Sequence, residues 1–430
     1  MDLKGKKLLV LGGVAMICEL VQNAQRRGAY VIVADYYSDS AAKRFADEAW
    51  LVSTADTEKL SELCLKAHVD GVISAFDDFN IFCAQRLSER IGAPFYATGE
   101  QLENTMDKTK FKELCRKNGV PSTPEFYLDR ELSRSALDAI RYPVIMKPAD
   151  SSGARGITIC NTEEELRTAY ETAMRTSKRG KVILEKYMVG DEIGVNYILQ
   201  DGEIHASVLH DRYMQNNNGQ HVRLPVAYVY PSKYTKHYLE QEDSLVANMF
   251  RSLGMRNGSL FLQGCVDDAT CYFYEMGYRL NGAKQYQLLD ALCGFNPMEM
   301  IVNYSLTGKE ADESITPRIN PMLGKACCTL SILAKPAKIA KIIGLEEIRS
   351  YPETVAVTQW YQEGEEITPD AIGTQKQICM RITLATESMQ SLADTIRKVY
   401  RTLDVMDEEG KSILLEQFDP NRILEGLTEE

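Results

Sequence analysis

Nowhere does this chain of 430 residues run for about eighteen apolar residues without interruption, so no membrane-spanning helix is expected. It lacks Cys-x-x-Cys pairs and any Cys/His spacing suited to a metal. Its eleven cysteines are scattered and read as small core residues in a reducing compartment. The adjacent Cys327 and Cys328 read as packing rather than redox chemistry. Basic charge is in deficit, with 49 Lys and Arg against 61 Asp and Glu and a formal net charge of -12. That balance argues against nucleic acid as the main partner, because phosphate backbones need net basic surface. No segment has the composition of disorder, at 44% hydrophobic and 26% charged overall. The opening MDLKGKKLLVLGGVAMICELVQ lacks a cleavage site of small residues and reads as a strand ending in a glycine turn. A cytoplasmic protein is expected.

Several familiar motifs are missing too. A phosphate loop of the form G-x-x-x-x-G-K-[ST] has only its tail, Gly410-Lys411-Ser412, with Val405 where the first glycine belongs. The kinase signatures H-R-D and D-F-G are absent. Gly12-Gly13 and Asp35 suggest a dinucleotide site, but the full G-x-G-x-x-G is lacking, so this reads as a sheet turn. No Ser/His/Asp or Cys/His set points to a covalent nucleophile.

The chain does show an ordered alternation. Residues 1–104 run strand, helix, strand, with apolar strands KKLLVL, YVIVAD, AWLV and GVIS, which predicts a parallel sheet covered on both faces. Helices are expected through Gln25, near 40–47, near 135–141, over 163–175 and over 241–253. A second unit, 105–310, begins with a helix capped by Gly119 and continues through YPVIMKP, VILEKYM and two hairpins, one turning at Asp201-Gly202. A third, 311–430, reads as a smaller α+β unit with strands TVAVTQWY and TQKQICMRITLATES and an amphipathic helix.

Chemistry concentrates in the middle unit. Lys108 at a helix start and Lys147 at a strand end are placed to neutralise a polyphosphate from two sides. Ser151, Ser152, Gly153 and Gly156 belong to a loop whose backbone N–H groups suit a phosphate. Around Glu185, Lys186, Tyr187 and Met188, backbone groups read the adenine edge while Tyr187 and Met188 pack on the ring. Glu192 accepts the ribose hydroxyls. Glu275 is a candidate Mg²⁺ ligand, and Arg279 faces the transferring phosphoryl group or a tetrahedral intermediate. Asp211, Arg212, Tyr213 and Arg223, assigned to a long polar loop, form a candidate clamp for a substrate carboxylate.

In this order, Asp-Lys, a strand lysine, a glycine loop, E-K-Y-M, G-x-E and E-x-x-x-R-x-x-G resemble the ATP-grasp superfamily over roughly residues 1 to 305. The chain looks most like its carboxylate–amine ligases, including bacterial L-amino-acid ligases and glycinamide ribonucleotide synthetase. The tail from VAVTQWYQEG to DEEGKSIL resembles the C-terminal domain of the amino-acid ligases. The resemblance implies an α/β and α+β architecture: a Rossmann-like parallel sheet, a central two-part ATP-grasp unit and a small C-terminal α+β domain. It implies ATP and Mg²⁺ as cofactors, with Mn²⁺ as a substitute, and places Lys108 and Lys147 on phosphates. Glu185, Tyr187 and Met188 would surround adenine, Glu192 would meet the ribose, and Glu275 the metal. Two departures stand out. Gln263 replaces the second metal carboxylate, and E-x-N-P-R becomes Glu275-Met276-Gly277-Tyr278-Arg279.

The implied reaction joins a carboxylate to an amine through an acyl phosphate, and Lys147 and Arg279 carry the catalytic roles. The partners implied are small carboxylates and amines, with a homodimer compatible with the family. A glycinamide ribonucleotide synthetase-like enzyme and a non-catalytic nucleotide-binding regulator are the alternatives.

Overall fold

The computed structural model describes residues 1–150, 156–215 and 224–425. The first strands, β1 (Lys7–Leu11), β2 (Tyr30–Asp35), β3 (Glu48–Leu51) and β4 (Gly71–Ile73), form a parallel sheet in the order β3-β2-β1-β4. α1 (Cys18–Arg26), α2 (Thr57–Ala67) and α3 (Asp78–Ile91) cover it, and apolar residues fill cores on both faces of the sheet. The helix expected near 40–47 is only a 3-10 turn over Ala41–Arg44. Asp35 fastens the turn after β1: its Oδ2 accepts from Gly13 N–H at 2.7 Å, so this edge is a braced loop. At the end of β4, Asp77 caps α3 by accepting from Asn80 N–H at 2.7 Å. Asp78 therefore starts the helix, where a carboxylate is favoured by the helix dipole.

α4 (Gly99–Met106) is followed at once by α5 (Lys108–Asn118), with Asp107 capping α5 through Thr109 N–H and Lys110 N–H. Gly119 closes α5 in the left-handed region at φ 69°, as its sequence position predicts. β5 (Glu125–Phe126), α6 (Arg134–Asp138), β6 (Val144–Pro148), β7 (Thr158–Cys160), α7 (Glu163–Thr176) and β8 (Val182–Lys186) make a small unit. Its sheet is antiparallel in the order β5-β8-β6-β7, packed on Val144, Met146, Leu166 and Leu184. α6 is shorter than expected, ending ahead of Pro143, which disfavours helical backbone in the residue before it.

The remaining strands of the middle unit are β9 (Asp191–Gln200), β10 (Glu203–Met214), β11 (Pro225–Tyr230), β12 (Gly258–Asp267) and β13 (Thr270–Gly277). Between β11 and β12 the helix expected over 241–253 is α9 (Asp243–Ser252), preceded by an unexpected α8 (Thr235–Gln241), with Glu242 between them accepting from Cys271 N–H at 3.3 Å. α10 (Tyr286–Cys293) and α11 (Pro297–Thr307) lead to β14 (Ala326–Leu333), β15 (Ala337–Ile343), α12 (Leu345–Arg349), β16 (Thr354–Gln359), β17 (Glu366–Ile367), β18 (Ile378–Thr386), α13 (Met389–Thr402) and β19 (Asp404–Asp407). One antiparallel sheet of eight strands runs β13-β12-β9-β10-β11-β14-β18-β16. It crosses the expected boundary at 310, because β11 pairs with β14 at Ala227↔Leu330 and Val229↔Cys328. Leu224 and Val226 share a core with Leu330, Ile382 and Leu392. Asp211, Arg212 and Tyr213 lie on β10 rather than in a loop. β17, β15 and β19 form a separate three-stranded sheet.

Candidate active site

Strand alternation decides where the first charges point. On β6, Val144 and Met146 enter the small core, so Lys147 belongs to the opposite face, and on β8 Leu184 enters it while Glu185 turns away. Glu185 pairs in register with Ile145, which makes Lys147 its diagonal neighbour. Lys147 Nζ lies 2.5 Å from Glu185 Oε2, and Lys112 Nζ, from α5, lies 2.7 Å from Oε1. The Glu185 side chain is 2% exposed. Burial alone would raise its pKa, but the attraction of Lys147 and Lys112 holds it below the usual carboxylate range. Burial lowers the pKa of Lys112, and Glu185 restores only part of the loss. Two ammonium groups on one carboxylate leave an excess positive charge beside Tyr274, whose ring centre is 5.0 Å from Lys147 Nζ. The Glu185 carboxylate is therefore committed to the lysines. The backbone of that segment, which the sequence reading assigned to the adenine edge, stays separate from this ion cluster.

A second cluster lies on the large sheet. Gln263 and Glu275 face each other in register across β12 and β13. Arg279 follows β13 and is gripped by Asp78: Nε donates to Oδ1 at 2.5 Å and Nη2 to Oδ2 at 3.2 Å. The guanidinium also lies 4.8 Å from the Phe261 ring centre. Burial would weaken its hold on the proton, but Asp78 outweighs this and its pKa rises. On β9 and β10, Arg212 Nη1 donates to Glu192 Oε2 at 3.0 Å and to Tyr274 OH at 2.8 Å. Asp211 points elsewhere, accepting from Ser232 Oγ at 2.5 Å and Lys233 N–H at 3.3 Å. That packing removes it from the expected carboxylate clamp.

Two cavities open on the second cluster. One, of about 470 Å³, has Asp78, Lys108, Glu275 and Thr176 in its walls. The other, of about 570 Å³, shares Asp78 and Glu275 and adds Gln263, Arg212, Arg279 and Arg381. A third, of about 250 Å³, is polar and holds Glu192, Arg212 and Lys233. The volumes of the first two suit small ligands, whose sites occupy roughly 300–1,000 Å³.

The strand end expected at adenine is half-open. Lys186 is exposed, with Asp267 at 3.7 Å, while Tyr187 N–H donates to Pro143 C=O at 3.0 Å and Met188 is partly buried. Gly156 is obligatory: its φ is +74°, and a β-carbon there would meet Pro148 Cγ at 2.8 Å and Thr176 Oγ1 at 2.9 Å. Ser151, Ser152, Gly153 and Arg223 lie outside the described residues. Among those residues, no group of three or more His, Cys, Asp or Glu has a metal-binding arrangement.

Lys112, Asp78 and Tyr274 are members of the site that sequence reasoning missed. Lys112 sits four residues after Lys108, one helical turn on. Asp78 follows the fourth parallel strand, where open α/β sheets present ligand groups.

Residues 107–283 match the family model described as carbamoyl-phosphate synthase L chain, ATP binding domain, and the fold is that of the ATP-grasp proteins. The chain is similar to the 2-oxoglutarate carboxylase small subunit of Hydrogenobacter thermophilus, 26% identical over 300 residues, covering 64% of this chain and 61% of that one. It spans about half the length of other curated relatives. In fold it is similar to the L-amino acid ligase from Bacillus licheniformis, with a TM-score of 0.76, 18% identity, and 94% and 99% of the two chains covered. It is equally similar to the biotin carboxylase domain of the Hydrogenobacter thermophilus 2-oxoglutarate carboxylase, solved with MgADP and bicarbonate, with a TM-score of 0.77, 20% identity, and 95% and 91% covered. No helix among the described residues is long and apolar enough to cross a membrane.

Proposed function

We propose that this chain is an ATP-dependent ligase that joins a small carboxylate to an amine through an acyl phosphate, releasing ADP and phosphate. The observation that carries this reading is the charge arrangement: Lys147, net cationic with Lys112 on Glu185, and Glu275 and Arg279 on the joined cavities of an ATP-binding fold. Lys108 and Lys147 hold the phosphates. Ser151, Ser152, Gly153 and Gly156 belong to the phosphate-binding segment by sequence, Lys186 and Met188 offer backbone groups to adenine with Tyr187 beside it, and Glu192 meets the ribose.

Glu275 and Gln263 fit one Mg²⁺, which takes one or two carboxylates plus substrate phosphates. When bound, the ion supplies charge neutralisation between phosphate oxygens. The chain's own task is to align the substrate carboxylate with the γ-phosphate, screen its charge with Arg279, and keep water from the acyl phosphate until the amine arrives. The free cysteines agree with a cytoplasmic setting. A phosphoribosyl amine is a weaker candidate because the Asp35 carboxylate occupies the Gly13 edge, where its phosphate would sit.

ADP release from Mg-ATP against pools of amino acids, other small carboxylates and amines tests the reading, with Lys147→Ala as control. Release that needs both partners and vanishes in the variant is expected. Silence across the pools from a protein that still binds Mg-ATP would overturn it.

A further inference from the structure

A row of residues crosses four strands of the large sheet at its metal end. Glu275 on β13 faces Gln263 on β12, Gln263 faces Gly194 on β9, and Gly194 faces His210 on β10. Residues directly opposite one another share a face of the sheet, so all four look to the same side. Gly194 contributes no side chain, and a β-carbon there would collide with Nε2 and Cε1 of His210. The imidazole therefore lies over the bare backbone of β9, its Nε2 edge filling the place next to Gln263. Tyr228 and Tyr230 pack against the ring, with centres at 5.4 Å and 5.1 Å.

His210 is fully buried, and its Nε2 has no hydrogen-bond partner among the described residues. The other ring nitrogen is occupied. Gln285 Nε2 donates to Asn196 Oδ1 at 2.9 Å, which leaves Asn196 Nδ2 facing His210 Nδ1 at 3.4 Å. An amide nitrogen only donates, so Nδ1 accepts. Burial, with the Arg212 charge adding to it, pushes the pKa of the ring down to about 3. The imidazole is therefore neutral, and its one proton sits on Nε2. A buried N–H without an acceptor is costly, and the next side chain in the row is Gln263, which lines the cavity together with Glu275. An amide has a donor end and an acceptor end of nearly the same shape. Only its oxygen can meet an N–H donor, and only its oxygen can hold a cation.

We propose that His210 is a positioning residue for Gln263: its Nε2–H donates to one lone pair of Gln263 Oε1 and keeps the other lone pair turned to the cation. This rests on the ligase reading, in which Glu275 and Gln263 hold the metal. Asn196 and Gln285 act through His210, by setting which nitrogen bears the proton. A glutamate at 263 would need no such help, since both ends of a carboxylate accept. The histidine matters because residue 263 is an amide.

We would measure Mn²⁺ binding in the presence of ADP, from the paramagnetic resonance signal of free Mn²⁺, in the full chain and in His210→Phe. That variant keeps a flat ring over Gly194 and loses the donor. The Mn²⁺ dissociation constant should rise about tenfold, as for a lost partner of a metal ligand, with metal-free ADP binding within about twofold of the parent. In a Gln263→Glu background the same change should cost less than about threefold, a non-additivity that packing alone does not produce. Equal losses in both backgrounds, or none in either, overturn the proposal. If His210→Phe fails to fold, ¹⁵N spectra of the parent protein decide. A His210 proton on Nε2 that shifts when MgADP is added is expected. A proton on Nδ1, or one on Nε2 indifferent to MgADP, overturns the proposal. The chain has five histidines, and replacing the others singly with glutamine assigns the signal by elimination. Neither readout needs turnover. Silence in the ligase assay with His210-dependent Mn²⁺ binding would refute the ligase and keep this role. ADP release with metal binding indifferent to His210 would do the reverse.

Discussion

Lys147 Nζ stands 2.5 Å from Glu185 Oε2 across adjacent antiparallel strands, and Lys112 closes the other side of the same carboxylate. Glu185 is thus the fixed counter-charge that lets two lysines be buried where a polyphosphate is expected. Glu185→Gln should cost about 3–5 kcal/mol of stability, because it leaves buried ammonium groups uncompensated. Chemical denaturation with and without Mg-ATP checks this, and added nucleotide should recover part of the loss. A neutral result in both conditions would remove Glu185 from the site.

Gln263 occupies the position directly opposite Glu275. A carboxylate there should hold a divalent cation more strongly than an amide oxygen. Gln263→Glu is expected to lower the Mg²⁺ concentration for half-maximal ADP release several-fold, and Glu275→Ala to raise it at least tenfold. A magnesium titration at fixed ATP reads both.

Asp78 fixes the Arg279 guanidinium from the first turn of α3, through a two-point contact. In Asp78→Asn the arginine keeps its charge but loses its anchor. We expect kcat to fall by about tenfold to a hundredfold while nucleotide affinity stays within about twofold. Arg279→Ala should add little to a chain already carrying Asp78→Asn, a non-additivity that a double-mutant cycle measures.

Burial pushes the Asp211 carboxyl up to about 6, with Ser232 and the Lys233 N–H pulling the other way. Its folded pKa is raised above the unfolded value, so the folded chain binds the extra proton between about pH 4 and 6. This contribution to stability is present below that window and lost as pH rises through it. Asp211→Asn keeps an acceptor for Ser232 without the charge. It should be more stable than the parent at pH 7.5, by up to about 2–3 kcal/mol, with the gain vanishing near pH 4. Denaturant midpoints at the two pH values give the answer.

Much of this site was legible in the order of the sequence. The strand lysine Lys147, the Glu185 strand, Glu192, and Glu275 with Arg279 lie on elements close to the expected bounds, because period-two alternation and turn residues are local signals. The partners were not legible. Asp78 meets Arg279 across 201 residues of chain and Lys147 meets Glu185 across 38, and no local pattern encodes which charges converge. Asp211 was misplaced because Asn- and Gly-rich residues next to it hid the end of β10. Arg381 lies in a segment read as a strand, where a single arginine carries no signal until burial reveals it.

The pairing of β11 with β14 has a practical consequence. Pro225–Tyr230 is buried throughout and hydrogen-bonded on both sides. A fragment ending at 310 would bare one side of that strand, offering a sticky apolar template to the next copy. The nucleotide half is therefore not a portable cassette: expressed without its tail, it should precipitate rather than bind ATP.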